Sequence, residues 1–377
     1  MSFALLAAAT LAAKGDEVGV SEDAILFGQA AALEGPSSVL GQGMRHGIVA
    51  AFTEINAKGG VHGRKLQLIS RDDGYDPDRS VVQTLRLIED DKVFALIGAV
   101  GTATAMATIP ITNARDVPFI GPVSGAELLR DLELTNVVNI RPSYGAEAET
   151  LIKHLTEDRH FTRIAIFYQD DSFGRDGLTG VKNALAKRGL ELAAEGTFER
   201  NTRAVGAAWR TIKRAEPEAI VMVGTYGPSA EFIKLAHRSS LSPTFVNISF
   251  VGATALAKEL GPDGEGVVVA QVVPFPWDRS IKLVADYQAA QKAFDPTLTP
   301  DFVSLEGYLS GRLAAAALEN VGPNPTRAGL LRAINDIGRF DISGSVFTVG
   351  FRAIETPPEV FLTVIQKDGT FKAIDRL

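Results

Sequence analysis

Short apolar runs of strand length alternate with helix-period segments along nearly the whole chain, and this rhythm constrains the fold most. VFALIG (Val93–Gly98), AIVMVG (Ala219–Gly224) and GVVVAQVV (Gly266–Val273) are almost uninterrupted in their hydrophobicity. Such runs are what a parallel strand shows when helices cover both faces of its sheet. Between them the apolar residues take helical spacing. Met44, Ile48, Phe52 and Ile55 share one face, and Gly59-Gly60 supplies a left-handed stop. LQLIS (Leu66–Ser70) alternates as a strand; Asp76 then Pro77 reads as an N-cap and first helical residue ahead of Val81, Leu85 and Ile88.

RDVPFIGP (Arg115–Pro122) and NVVNI (Asn136–Ile140) continue the first series. After RPSYG (Arg141–Gly145) the alternation restarts with RIAIFYQ (Arg163–Gln169), a strand near Leu190–Phe198, AIVMVG, PTFVNIS (Pro243–Ser249) and GVVVAQVV. Two successive βα series predict two parallel-sheet lobes rather than one large sheet. The remainder is mostly helical, at Ile281–Phe294, Phe302–Asn320 and Thr326–Ile337, and is expected to complete the first lobe. SVFTV (Ser345–Val349) and VFLTVIQ (Val360–Gln366) then add strands near the hinge and on the second lobe. The chain thus crosses three times, near Arg141–Tyr144, Val272–Pro276 and Gly344–Arg352. The expected division is 18–141 plus 274–345 for one lobe and 142–273 plus 346–377 for the other.

Residues 1–17 stand apart. The apolar run Phe3–Ala13 ends in small residues before Lys14, as in the core and cleavage region of a secretory signal peptide, although a basic start is absent. Export to the periplasm is the expectation, with a short buried helix as the competing reading. The 377 residues carry a net charge of −7 and no basic run, which argues against nucleic acid or an anionic membrane as partner. The absence of cysteine removes thiol catalysis, zinc-thiolate sites, iron–sulfur clusters and disulfides together.

Ligands of open α/β sheets sit beyond the carboxyl ends of the strands. There VFALIG runs into AVGTATA (Ala99–Ala105), where Gly98 and Gly101 lack the spacing and third glycine of a dinucleotide fingerprint, and no GxxxxGK[ST] loop occurs anywhere. No cofactor is expected. Thr102 and Thr104 open a helix either as caps or as part of a carboxylate site, since free N–H groups and the helix dipole favour an anion. Ser124, in GPVSG after the next strand, falls at an equivalent height. Aromatic residues recur at strand ends of the second series, at Tyr168, Phe173, Tyr226 and Phe250, with Tyr144 at the first crossing. Catalysis is not expected: the five histidines form no HExxH pair and no GxSxG elbow exists. Asp72-Asp73 and Asp170-Asp171 are adjacent loop carboxylates, which point apart and cap turns; no metal site is expected from them.

INAKGGVHGRKLQLISRDDGYDP (Ile55–Pro77), VFALIGAVGTATA, VPFIGPVSGAEL and RIAIFYQDDSFGRDGL together resemble the type I periplasmic solute-binding proteins, in the leucine/isoleucine/valine-binding branch that serves ABC importers. The resemblance runs from about Glu22 to the C-terminus. It implies an α/β fold of two Rossmann-like lobes with parallel central sheets, three hinge crossings, and a ligand closed into the cleft between the lobes. It implies that Thr102 grips a ligand carboxylate, aided by Val123, Ser124 and Gly125, that Tyr226 lines the cleft, and that Phe173 closes over the ligand. In the loop LEGPSSVLGQG (Leu33–Gly43), Leu33 and Ser37–Ser38 are candidate contacts, set against simple turn chemistry.

Two departures follow from the same comparison. The position that accepts the ligand ammonium in amino-acid binders is Ser249, followed by Phe250, so an acidic partner is missing there. Burying an ammonium without a counter-charge is costly, which favours a carboxylate ligand with an apolar or aromatic body. Tyr75 and Gly101 stand where the relatives carry a cysteine pair. Ile55–Pro77 itself reads as scaffold. The implied role is that of a monomeric receptor handing a small carboxylate to an ABC permease in the inner membrane. A ligand-sensing component of a regulatory system, or less readily a two-domain enzyme, are the alternatives.

Overall fold

The computed structural model describes residues 17–239, 241–349 and 359–377. The signal-peptide reading therefore lies outside the described residues, as does the far end of the third crossing. The first series forms β1 (Ala24–Ala31), α1 (Ser38–Ala57), β2 (Lys65–Asp72), α2 (Pro77–Glu89), β3 (Ala95–Ile97), α3 (Thr102–Asn113), β4 (Phe119–Ile120) and β5 (Val137–Val138). Its five strands pair in parallel in the order β2-β1-β3-β4-β5. The punctuation behaves as the sequence predicts. Gly60 (φ +76°) donates to the carbonyl of Ile55, and a Cβ there would meet the carbonyl oxygen of Arg64 at 1.9 Å, so only glycine fits. Asp76 caps α2 by accepting from the N–H of Arg79, with Pro77 as its first residue.

The second series forms α4 (Tyr144–Glu157), β6 (Ile164–Gln169), α5 (Ser172–Ala186), β7 (Ala194–Phe198), α6 (Gly206–Lys213), β8 (Ala219–Val223), α7 (Tyr226–His237), β9 (Thr244–Asn247), α8 (Ala253–Leu260) and β10 (Val268–Gln271). Strands β6 to β10 are parallel, and all five residues of β8 are buried, consistent with helices on both faces. Helix α8 is an addition to the sequence reading. Its eight residues are too short a stretch for helical periodicity to stand out.

The chain then forms α9 (Lys282–Phe294), α10 (Phe302–Val321) and α11 (Arg327–Ile337), and α9 and α10 return to pack on α1. Helices α1 and α10 approach backbone to backbone. A Cβ on Gly47 would lie 1.9 Å from the carbonyl oxygen of Ser304, and one on Gly307 would lie 2.3 Å from that of Met44. Gly47→Ala is therefore expected to destabilise the protein by about 2–3 kcal/mol, the cost of overpacking a rigid contact, read as a lower midpoint in urea.

The chain ends in β11 (Arg339–Ile342), β12 (Ser345–Thr348), β13 (Phe361–Ile365) and β14 (Phe371–Ile374). Strand β13 pairs antiparallel with β10 and β14 with β13, giving the second sheet the order β14-β13-β10-β9-β8-β6-β7. Strand β12 pairs with β11 in a separate hairpin. That hairpin lies at the crossings: Ile140, Arg141, Val272, Val273, Ile342 and Phe347 line one narrow cavity.

Candidate functional site

The ends of β3 and β4 are neighbours in register, Leu96 against Phe119 and Ile97 against Ile120. Beyond them Gly101 donates to the carbonyl of Val123 (3.1 Å) and Val123 to that of Ala99 (2.8 Å), which ties the two loops together. Thr102 and Ser124 are fully buried, and their hydroxyl oxygens lie 2.7 Å apart. Thr104 is committed locally, donating to the carbonyl of Gly101 at 3.0 Å. The Thr102–Ser124 pair stands at the N-terminus of the twelve-residue α3, whose N-cap is Gly101 without a side-chain cap. Hydroxyls and uncapped N–H groups at a positive helix end suit an anion. Gly125 is sterically required, because a Cβ would meet the ring of Tyr144 at 2.6 Å. Tyr144 donates its N–H to the carbonyl of Gly125 at 2.7 Å. Its own hydroxyl is buried beside Ser124 and Gly125, and burial pushes it up to about 12.

A chain of rings fills the gap between the lobes. Tyr144 packs on Phe173 (centroids 5.3 Å), Phe173 on Phe250 (4.5 Å) and Phe250 on Tyr75 (6.0 Å). Phe173 and Phe250 are fully buried, and the rings meet in tilted or edge geometries that favour aromatic contact. Phe173 is held there by Asp171, which caps α5 and accepts from the N–H groups of Phe173 (3.0 Å) and Gly174 (3.3 Å). Asp171 also pairs with Arg200 at 3.0 Å, whereas Asp170 turns to Arg175 at 2.7 Å. The two adjacent carboxylates thus serve separate structural partners.

The same holds for Asp72 and Asp73. Asp72 accepts from the N–H groups of Leu33 (2.8 Å) and Glu34 (2.9 Å) and pairs with Arg79. Asp73 accepts from the N–H of Tyr75 and the hydroxyl of Ser80, each at 2.8 Å. Burial, set against these two hydrogen bonds, leaves Asp73 raised to about 6. An unfolded aspartate ionises near 3.8, so the folded protein takes up this proton first as pH falls. The contribution of Asp73 is most favourable below pH 4 and is lost as pH rises through about 6. Asp73→Asn is expected to remove about 1–2 kcal/mol of pH dependence between pH 7 and pH 4.5, measured as the difference from wild type in paired urea titrations.

At Ser249 the structure adds a neighbour the sequence reading does not name: Glu147 of α4 places a carboxylate beside it from elsewhere in the chain. Ser249 donates its N–H (2.7 Å) and its hydroxyl (2.9 Å) to Glu147, and accepts from Arg141 Nη2 at 2.7 Å. Arg141 Nε lies 3.2 Å from Glu306 Oε1 of α10, and Arg141 Nη1 has no partner. Arg141, Glu147 and Glu306 are each no more than 3% exposed. Burial raises both glutamates and opposes the Arg141 cation, which Glu306 and Glu147 nonetheless hold above its ordinary value. One guanidinium thus faces two carboxylates. The sequence held one signal for Glu147: an acid three residues after Tyr144, on the face of α4 that buries Ala148, Leu151 and Leu155.

Tyr226, the first residue of α7, is 6% exposed, and its hydroxyl lies beside Ser38 and Val39 in the first turn of α1. Tyr226 therefore meets the first lobe at the loop the sequence singles out, but through Ser38 rather than Leu33. Leu33 is spent on turn structure: its N–H goes to Asp72 and its carbonyl accepts from Gln42 at 2.7 Å. A narrow cavity between the lobes is lined by Leu40, Val123, Arg141, Ser249, Phe250 and Glu306. Thr254 of α8 closes the gap further by donating to Asp301, the N-cap of α10, at 2.6 Å.

Two α/β lobes, covalently joined at their crossings and meeting over a buried layer of hydroxyls, rings and paired charges, define a bilobed binding protein of the periplasmic type. The chain belongs to the periplasmic binding protein family, which it matches over residues 24–359, in its type I leucine/isoleucine/valine-binding branch. It is 36% identical to a solved structure described as "a possible leucine/isoleucine/valine-binding protein" from Rhodopirellula baltica SH 1, with a TM-score of 0.87 over 93% of this chain and 96% of that one. A substrate-binding periplasmic protein from Ralstonia solanacearum is 27% identical, with a TM-score of 0.87 over 93% of this chain and all (100%) of that one. A curated relative, Leu/Ile/Val-binding protein homolog 7 of Brucella abortus (strain 2308), is 25% identical over 59% of this chain. The chain spans only 57% of that relative's length. Among the described residues no helix is long and apolar enough to cross a membrane.

Proposed function

We propose that the protein is an extracytoplasmic solute receptor that closes its two lobes on a small carboxylate and delivers it to an ABC permease of the inner membrane. The observation that carries this reading is the buried Thr102–Ser124 hydroxyl pair at the N-terminus of α3. Val123 and Gly125 hold that corner, Tyr144, Phe173 and Phe250 receive an apolar or aromatic body, and Tyr226 closes the first-lobe loop at Ser38. Glu147, engaged by Ser249 and Arg141 beside that position, supports admitting an amino acid as well, since one guanidinium there faces two carboxylates. Amino acids with apolar side chains and simple aromatic or aliphatic acids are therefore both within the ligand class. The lobes divide near residues 141, 273 and 345, so that α9 and α10 belong with α1. Supporting the role are the family match and the relatives' names.

The test is direct. Protein purified without denaturation is examined by native mass spectrometry for a retained small acid, and the stripped protein is titrated calorimetrically with L-leucine, benzoate and hexanoate. Saturable binding of at least one acid, with thermal stabilisation and no turnover, supports the reading. Absence of any retained acid together with no heat for all three would overturn it.

A further inference from the structure

We propose that Tyr75 is a positioning residue for the cleft, docking a first-lobe loop onto the second lobe and thereby setting the balance between open and closed forms before any solute arrives. The segment that reads in sequence as scaffold ends in this loop. Tyr75 is 1% exposed although it sits on a loop, and its hydroxyl and ring reach Gln169, Phe250 and Arg200 of the other lobe. Gln169 at the end of β6 donates to its hydroxyl at 3.2 Å, and the Phe250 ring lies 6.0 Å from its own. The Arg200 guanidinium stands 6.0 Å above its face, a cation–π distance. One residue away, Asn201 donates its side-chain amide to the carbonyl of Gly74 at 3.2 Å.

Both sides of the contact are built to hold it. Tyr75 has φ +59° and Asn201 φ +60°, left-handed conformations that are uncommon without glycine and persist where surrounding contacts enforce them. The Tyr75 backbone is fixed by its N–H to Asp73, and its ring lies against Gly101, where a Cβ would come within 2.5 Å of Cε2. Tyr75 and Gly101 thus form a ring seat that faces the opposite lobe. Rotation about the crossings parts Tyr75 from Gln169, Phe250 and Arg200 together, so these contacts belong to the closed form alone and must bias it.

The absence of cysteine allows a clean measurement. Exposed Arg86 on α2 and Arg210 on α6 are each replaced by cysteine and spin-labelled, and the inter-lobe distance distribution is measured by pulsed dipolar spectroscopy on solute-stripped protein. Wild type is expected to show a substantial short-distance population. Tyr75→Phe, which loses only the hydroxyl bond, lowers the closed-to-open ratio about threefold to fivefold. Tyr75→Ala lowers it about tenfold or more, with cooperative thermal unfolding retained in both variants. Should Tyr75→Ala fail to fold, the exposed Asn201→Ala together with Tyr75→Phe provides the same reading. A wild-type distribution confined to long distances, or variant distributions that coincide with wild type, would overturn the proposal. Because no solute is present, failure of the carboxylate reading leaves this result unaffected.

Discussion

Arg141→Ala is expected to lower the stability of the folded protein by about 3–5 kcal/mol, among the largest single-site losses available in this chain. The substitution leaves Glu147 and Glu306 buried on either side of an empty position, with Ser249 deprived of its donor. Two carboxylates without their cation must either stay charged in a low-dielectric site or take up protons, and both are costly. The sign with pH follows. Burial raises both glutamates already, and removing the guanidinium raises them further, so the variant is expected to lose most at pH 8 and to recover part of the deficit at pH 5. Chemical denaturation of wild type and variant at the two pH values measures this, and equal losses at both would count against a charge-based role. Arg141→Met combined with Glu147→Gln and Glu306→Gln is expected to be milder than Arg141→Ala alone, because a neutral site carries no unpaired charge.

Thr102→Val and Ser124→Ala are expected to weaken solute binding about 10- to 100-fold each while shifting stability by only about 1 kcal/mol. Val is nearly isosteric with Thr, so the packing of α3 survives and the lost quantity is a hydroxyl donor to an anion. Hydrogen bonds to charged groups contribute about 1.5–3 kcal/mol, and 1.4 kcal/mol is tenfold in affinity. In Ser124→Ala the Thr102 hydroxyl is left buried without its 2.7 Å partner, which accounts for the small stability change. Calorimetric titration with whichever acid the wild type binds, alongside urea denaturation, separates the two effects. Unchanged affinity in both variants would move the anion site away from α3.

Thr102 and Ser124 were legible because each lies just past a strand whose apolar run and glycine stop are local features. Strand pairing then brings neighbouring ends to one height, and the hydroxyls meet. Phe173 and Phe250 were legible as strand-end aromatics in the same way, though nothing local announced that they pack on each other at 4.5 Å. Leu33 and Ser38 show the limit within a single loop. The turn-forming residues around Leu33 place its N–H on Asp72 while Ser38 reaches Tyr226, and the choice depends on where the second lobe lies. The short helix α8 and the four-residue strand β11 carry too few repeats for a period to show, whereas SVFTV, read as a strand near the hinge, appears as β12 and pairs with β11.

Taken alone, the order of residues determined the alternation of strands and helices, their capping, the division into two parallel-sheet series and the strand ends at which small hydroxyls gather, since these are matters of local periodicity and backbone preference. The tertiary structure alone decided that Glu147 serves Ser249 across 102 residues and that Tyr75 reaches Gln169 across 94. Such contacts depend on how two separately folded lobes come together. A side chain's neighbours there are fixed by chain crossings and lobe packing, which no short-range pattern encodes.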